Sequence, residues 1–200
     1  MNRKIITAAA VGIAILGAIA PAVAASQHVR GSVVAITDTE ITIATRSGAT
    51  ENFAVNSGTH FLGESTGTMA DIKPGSYIGS AAVPMAGGSG KLRALEVTVF
   101  PPAMAGIGEG HFPYDLGKSS SMTNGTVGNL VASNGNTMKV NYKGGEKTIV
   151  VPADVPVVTI APGAANEITS GVKVIILPAK GDPNAAGAVL FGRNGITPPQ

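Results

Sequence analysis

The stretch "RGSVVAITDTEITIATRSGATENFAV", Arg30 to Val55, is answered further along by "NGTVGNLVASNGNTMKVNYKGGEKTIVV", Asn124 to Val151. Each opens on Gly-(Ser/Thr)-Val, crosses a polar turn, makes a Thr-containing strand, turns on Gly and closes with a third strand. Apolar residues alternate with polar ones inside each strand, the period of a half-buried sheet. Ser47-Gly48 and Lys143-Gly144-Gly145 supply the positive φ of tight hairpins, and Asn134-Gly135 does the same for the loop before the second strand of the later copy.

Working outward, "MADIKPGSYIGSAAVP" at 69–84 parallels "ANEITSGVKVIILP" at 165–178. Each carries an acid, Ile, Gly and an apolar strand ending in Pro. Gly31 to Gly125 spans 94 residues and Gly75 to Gly171 spans 96, so two distant landmarks give nearly one period. That is the mark of an internal duplication. The strands read from the pattern are Val29–Ile36, Glu40–Arg46, Thr50–Val55, Tyr77–Pro84 and Arg93–Phe100, then Gly125–Val131, Thr137–Tyr142, Glu146–Val151, Lys173–Pro178 and Ala188–Arg193. Met69–Lys73 and Ala165–Thr169 each read as one helical turn plugging a barrel end.

Five short strands per copy fit a small closed barrel of the OB type, in which closure removes exposed edges. The expected fold is therefore all-β: two tandem five-stranded OB-like barrels after an N-terminal signal helix. The expected divisions are a signal peptide at 1–25, a first domain at 26–100, a Pro/Gly-rich linker at 101–121, a second domain at 122–195 and a tail at 196–200. A sandwich of both copies around one shared core satisfies the same periodicity.

The first 25 residues read as a leader. Arg3 and Lys4 precede the uncharged Ile5–Ala20, Pro21 breaks the helix, and Ala22-Val23-Ala24 offers a small-x-small cleavage pattern. An uncleaved anchor is the alternative. No later stretch approaches 18 apolar residues, which excludes a multi-span transporter. The leader holds two of the 14 Lys and Arg residues and none of the 12 Asp and Glu residues, leaving a mature chain of zero net charge. Its basic residues are scattered, which argues against a nucleic-acid partner. With no Cys there is no thiol nucleophile, disulfide or Cys-based metal site.

The pattern Gly-x-Val, polar turn, strand, then "DIKPGSYIGSAAV" and "LRALEVTVF", resembles a family of exported bacterial proteins built on an OB-like domain of unknown function (number 5666), some of them labelled metal transporter permease. The resemblance covers the first copy and, more weakly, the second. It implies a periplasmic or secreted β protein and brings no catalytic residues.

The richest local stretch is "GEGHFPYDLG", Gly108 to Gly117. Glu109, His111 and Asp115, joined by His60, form a candidate divalent-metal set for Cu, Zn or Ni, since an imidazole with carboxylates suits such ions. The structural reading of the same stretch is a clasp, with Phe112 and Tyr114 packed between domains, Pro113 stiffening the chain and Asp115 capping a turn. A cut after Ala25 would also place His28 third from a free amino terminus, where Cu(II) or Ni(II) can be held. Gly106, Gly108 and Gly110 are followed by no helix pattern and are not a dinucleotide fingerprint. No nucleophile elbow and no motif-placed carboxylate pair is present. The sequence thus predicts a non-enzymatic exported β protein that needs no cofactor and acts as a binding or envelope structural module. Its partner would be an envelope protein or a small ligand, and it would have no membrane span once the leader is cut. The second reading is a periplasmic divalent-metal binder.

Overall fold

The computed structural model describes residues 28–87, 89–131 and 136–199. The leader read at 1–25 lies outside the described residues. Among the described residues there are fourteen strands. The first half holds β1 (Val29–Ile36), β2 (Glu40–Thr45), β3 (Thr50–Ala54), β4 (His60–Thr66), β5 (Tyr77–Pro84), β6 (Leu92–Ala94) and β7 (Val97–Val99). The second holds β8 (Gly110–Pro113), β9 (Ser121–Val131), β10 (Thr137–Tyr142), β11 (Gly145–Val150), β12 (Val157–Pro162), β13 (Lys173–Ala179) and β14 (Asp182–Gly192). The fold is all-β. Among the described residues no helix is long and apolar enough to cross a membrane.

The strands close into two rings of five, and each ring draws on both repeats. In the first ring β1, β2 and β3 form a meander, β13 pairs with β1, β14 pairs with β13, and a single parallel bridge, Ala185 to Ala54, joins β14 to β3. In the second, β9, β10 and β11 form the meander, β5 pairs with β9, β6 pairs with β5, and β6 meets β11 in parallel. β13 and β14 of the second repeat thus complete the first ring, and β5 and β6 of the first repeat complete the second. These pairings run between the stretches 26–100 and 122–195, because β4 and β12 carry the chain from one ring to the other.

That crossing lies at the centre of the molecule. β4 runs parallel to β14 and antiparallel to β12, and β12 runs parallel to β7. Glu64 faces Ile160 across the β4–β12 pair. With the 96-residue offset Ile160 is the repeat equivalent of Glu64, so an internal pseudo-twofold axis passes through this pair.

The shared motifs have local causes. A Cβ on Gly31 would run into the carbonyl oxygen of Ala44, and one on Gly125 into that of Asn141, so both landmarks mark the same close crossing of strands. Asp71 accepts the backbone N–H of Thr68 at 2.7 Å, and Glu167 that of Ala164 at 2.9 Å, closing single 3-10 turns at Met69–Asp71 and Ala165–Glu167. The following residues, Ile72 and Ile168, are buried in opposite cores. Each core mixes the repeats: Ile41, Ile43 and Phe53 pack with Val174, Ile176 and Phe191, while Val127, Met138 and Ile149 pack with Ile78, Ala94 and Val97. Each fully buried side chain of this size contributes about 1.5–3 kcal/mol. Strand exchange therefore ties both rings' stability to both repeats.

Candidate functional site

The most unusual group of side chains lies where the rings meet. Glu64 on β4 and Glu96 between β6 and β7 are both 0 % exposed. Glu96 reaches the interior through a bulge: the N–H groups of Leu95 and Glu96 both point to the carbonyl of Ala81, at 2.7 and 3.4 Å. A bulge re-aims the side chain that follows it. The Glu96 carboxylate then accepts from the N–H of Ala81 at 2.9 Å and from the Thr98 hydroxyl at 3.0 Å. Its own carbonyl accepts the Ser80 hydroxyl at 2.8 Å.

Burial, followed by repulsion from Glu96, pushes Glu64 up to about 8. Burial also raises Glu96, to about 7, against the lowering effect of its bonds to Ala81 and Thr98. Desolvation disfavours the ionised form of each, and a like charge next door adds to it. The pair titrates as a unit, so near neutral pH it retains a proton that isolated carboxylates would have lost.

Tyr114 of the connector joins this cluster to β1. Its phenol is raised by burial and then by the charge of Glu96, and it hydrogen-bonds with Arg30. Arg30 donates from both terminal nitrogens to Asp115, at 2.8 and 3.1 Å. The backbone N–H of His28 donates to the same carboxylate at 3.1 Å, and the His28 ring lies 5.1 Å from that of Tyr114. Burial alone would raise Asp115, but the Arg30 hydrogen bonds and the charges of His28 and Arg30 outweigh it and hold the carboxyl at about 2. The connector is thereby fastened to β1 by Tyr114 and Asp115.

The residues singled out in the sequence take separate stations. His111 hydrogen-bonds with the Thr123 hydroxyl at 2.9 Å and stacks on Tyr142 at 6.0 Å. Burial and then Lys147 lower its pKa. Glu109 accepts the N–H of Lys143 at 3.1 Å. Asp115 serves Arg30 and His28, and His60 stands exposed at the start of β4, level with Ala188. Among the described residues no group of three or more His, Cys, Asp or Glu could hold a metal ion. Of the three clasp residues, Phe112 is 40 % exposed and Pro113 is exposed, a correction to the expected burial of Phe112. β8 is the edge of the sheet, and among the described residues its outer edge pairs with no further strand.

Sequence reasoning passed over Glu64 and Glu96. The signal was present in the duplication. Glu64 aligns with Ile160. On the last strands, Val99 opposite Ile78 matches Phe191 opposite Val174, so Glu96 aligns with Ala188 and Thr98 with Leu190. A carboxylate aligned with an aliphatic residue in a duplicated strand marks a place where the copies have diverged in chemistry.

No family model, curated protein or solved structure matches the chain.

Proposed function

We propose that the chain is an exported, non-enzymatic module of two OB-like barrels that serves binding or structure in the envelope, with residues 1–25 as its removable leader. The observation that supports this best is the burial of Glu64 and Glu96. Among the described residues these two acids, both raised by burial, face protein groups, where no substrate reaches them, and sit on the seam between interlocked rings. Perturbed carboxylates in an open cleft would favour acid–base catalysis. The same groups sealed inside an interface have no access to a substrate and favour a non-catalytic reading. The order of strands around each ring, a three-stranded meander followed by a returning pair with its weakest closure between the third and last strands, agrees with an OB-like barrel.

Two measurements test the reading. Fractionation of producing cells, with sequencing of the mature amino terminus, is expected to find the chain outside the cytoplasm and starting at Ala25 or Ser26. Ester, glycoside and peptide substrates are expected to show no turnover by the purified chain. Retention in the cytoplasm with an intact leader, or turnover that Glu96→Gln abolishes, defeats it.

A further inference from the structure

The same surface of the two rings is finished differently. Register and duplication place Arg30, Arg46 and Lys173 of the first ring where the second has Asn124, Lys143 and Tyr77. In the second ring those three residues hold three consecutive residues of the connector. The Tyr77 hydroxyl donates to the carbonyl of Ile107 at 2.9 Å. The Asn124 amide donates to that of Gly108 at 3.0 Å, and the Lys143 N–H donates to the Glu109 carboxylate at 3.1 Å. The ring supplies only donors and the connector only acceptors.

In the first ring the matching place is a cavity of about 270 Å³. Arg30, Arg46, Lys173, Ser32, Thr45 and Thr197 line it, and among the described residues no carboxylate does. Arg30 is turned to Asp115, itself a connector carboxylate, and Lys173 donates to the Ser32 hydroxyl at 2.6 Å. Where the second ring presents a neutral amide, a backbone N–H and a phenol, the first has three cations: Arg30, neutralised by Asp115, and Arg46 and Lys173, whose charges face the cavity. We propose that this cavity is a docking site for an extended, carboxylate-bearing peptide segment, seated on the first ring as residues 107–109 are seated on the second. Backbone carbonyls of the guest would accept from Lys173 and the hydroxyls, and its carboxylate from the Arg46 guanidinium. Such charge-assisted bonds are stronger than the neutral ones they replace.

The probe is the blocked peptide "AGIGEGHF", residues 105–112, labelled and titrated into the mature chain at low salt. The second ring already holds this sequence intramolecularly, which leaves the first ring for the added peptide. Saturable binding is expected that weakens at least about tenfold in Arg46→Glu/Lys173→Glu and falls with added salt, as ion pairs open to solvent require. Arg46→Gln/Lys173→Gln, which carries no new charge, is expected to lose affinity in the same direction and serves if the first variant misfolds. The peptide with Gln in place of its Glu is expected to bind more weakly. Absence of binding by the wild-type chain, equal binding by a folded double variant, or displacement by inorganic phosphate as effective as by the peptide overturns the proposal. The proposal deepens the binding reading. Its failure leaves export and non-enzymatic character to be judged by the fractionation and turnover measurements above.

Discussion

On one side of the pseudo-twofold axis Ile160, Leu190 and Ile175 form a small apolar cluster with Ala188 against it. On the other side the matching positions hold Glu64, Thr98, Gly79 and Glu96. The strands pair in corresponding register, so the fold requires only that these positions be filled. Three aliphatic side chains satisfy that requirement in one copy. The carboxylates in the other are therefore an addition to the fold, and they cost stability unless their bonds offset desolvation.

The comparison rests on exchange of strands between repeats, and the largest effect comes from cutting the chain there. Residues 26–100 and 122–195, made separately, each hold three strands of one ring and the closing strands of the other. Neither fragment is expected to give a cooperative thermal transition as a monomer, and mixing them is expected to restore one. A monomeric half that melts cooperatively shows that a repeat can close on itself and removes the basis for the seam.

Next in size is Ile160→Glu, which places a third acid directly opposite Glu64. Facing side chains on an antiparallel pair are close neighbours, and an uncompensated buried charge is expected to cost about 4 kcal/mol. Denaturant unfolding at neutral pH measures it. A loss no greater than for an ordinary polar surface change would mean that the interior of the seam is wet.

The reverse substitution, Glu64→Ile, gives this position the side chain that the other repeat has at Ile160. Replacing one member of a buried ionisable set by a packed aliphatic is expected to stabilise the protein by about 1–3 kcal/mol at alkaline pH. The pH dependence follows in sign. Both glutamates have folded values above the ordinary 4.5, Glu64 near 8 and Glu96 near 7. As pH rises past 4.5 the unfolded chain gives up protons that the folded chain keeps, so stability falls until about pH 8 and then levels. Melting temperatures across that range are expected to decline in the wild type and to decline less in Glu64→Ile. Parallel curves for the two proteins would separate the slope from this pair.

Much of the fold was legible in the sequence because duplication and alternation agree. Val29–Ile36, Tyr77–Pro84 and Thr137–Tyr142 match the observed strands end to end. β4 was missed because "HFLGEST" interrupts its apolar residues with Gly63 and Glu64, and the remainder of Arg93–Phe100 is split at the bulge that turns Glu96 inward. Exchange between the rings was hidden for a different reason. β5 and β13 carry the same pattern, so either can lie against β1 or β9, and only the path of β4 and β12 decides between them. The candidate site was hidden with it, since β4 and β7, which bring in Glu64 and Glu96, flank β12 of the other repeat.

The smallest effect concerns the strap over the seam. Asp115 has a folded pKa of about 2 against an ordinary 3.8, so its contribution is present above about pH 4 and is lost as pH falls toward 2. Because the carboxylate is partly exposed, solvent screens much of the bidentate bond with Arg30, and Asp115→Asn is expected to cost about 1 kcal/mol at neutral pH. The difference from wild type should vanish near pH 2, where the native carboxyl also becomes neutral. This pH response is opposite in sense to that of the glutamate pair: acid weakens the strap while it strengthens the seam beneath. A double substitution, Glu64→Ile with Asp115→Asn, is therefore expected to leave a flatter stability profile from pH 2 to 8 than either single change. If the two effects fail to add, Tyr114 transmits charge between them, since it is the side chain in reach of both Arg30 and Glu96.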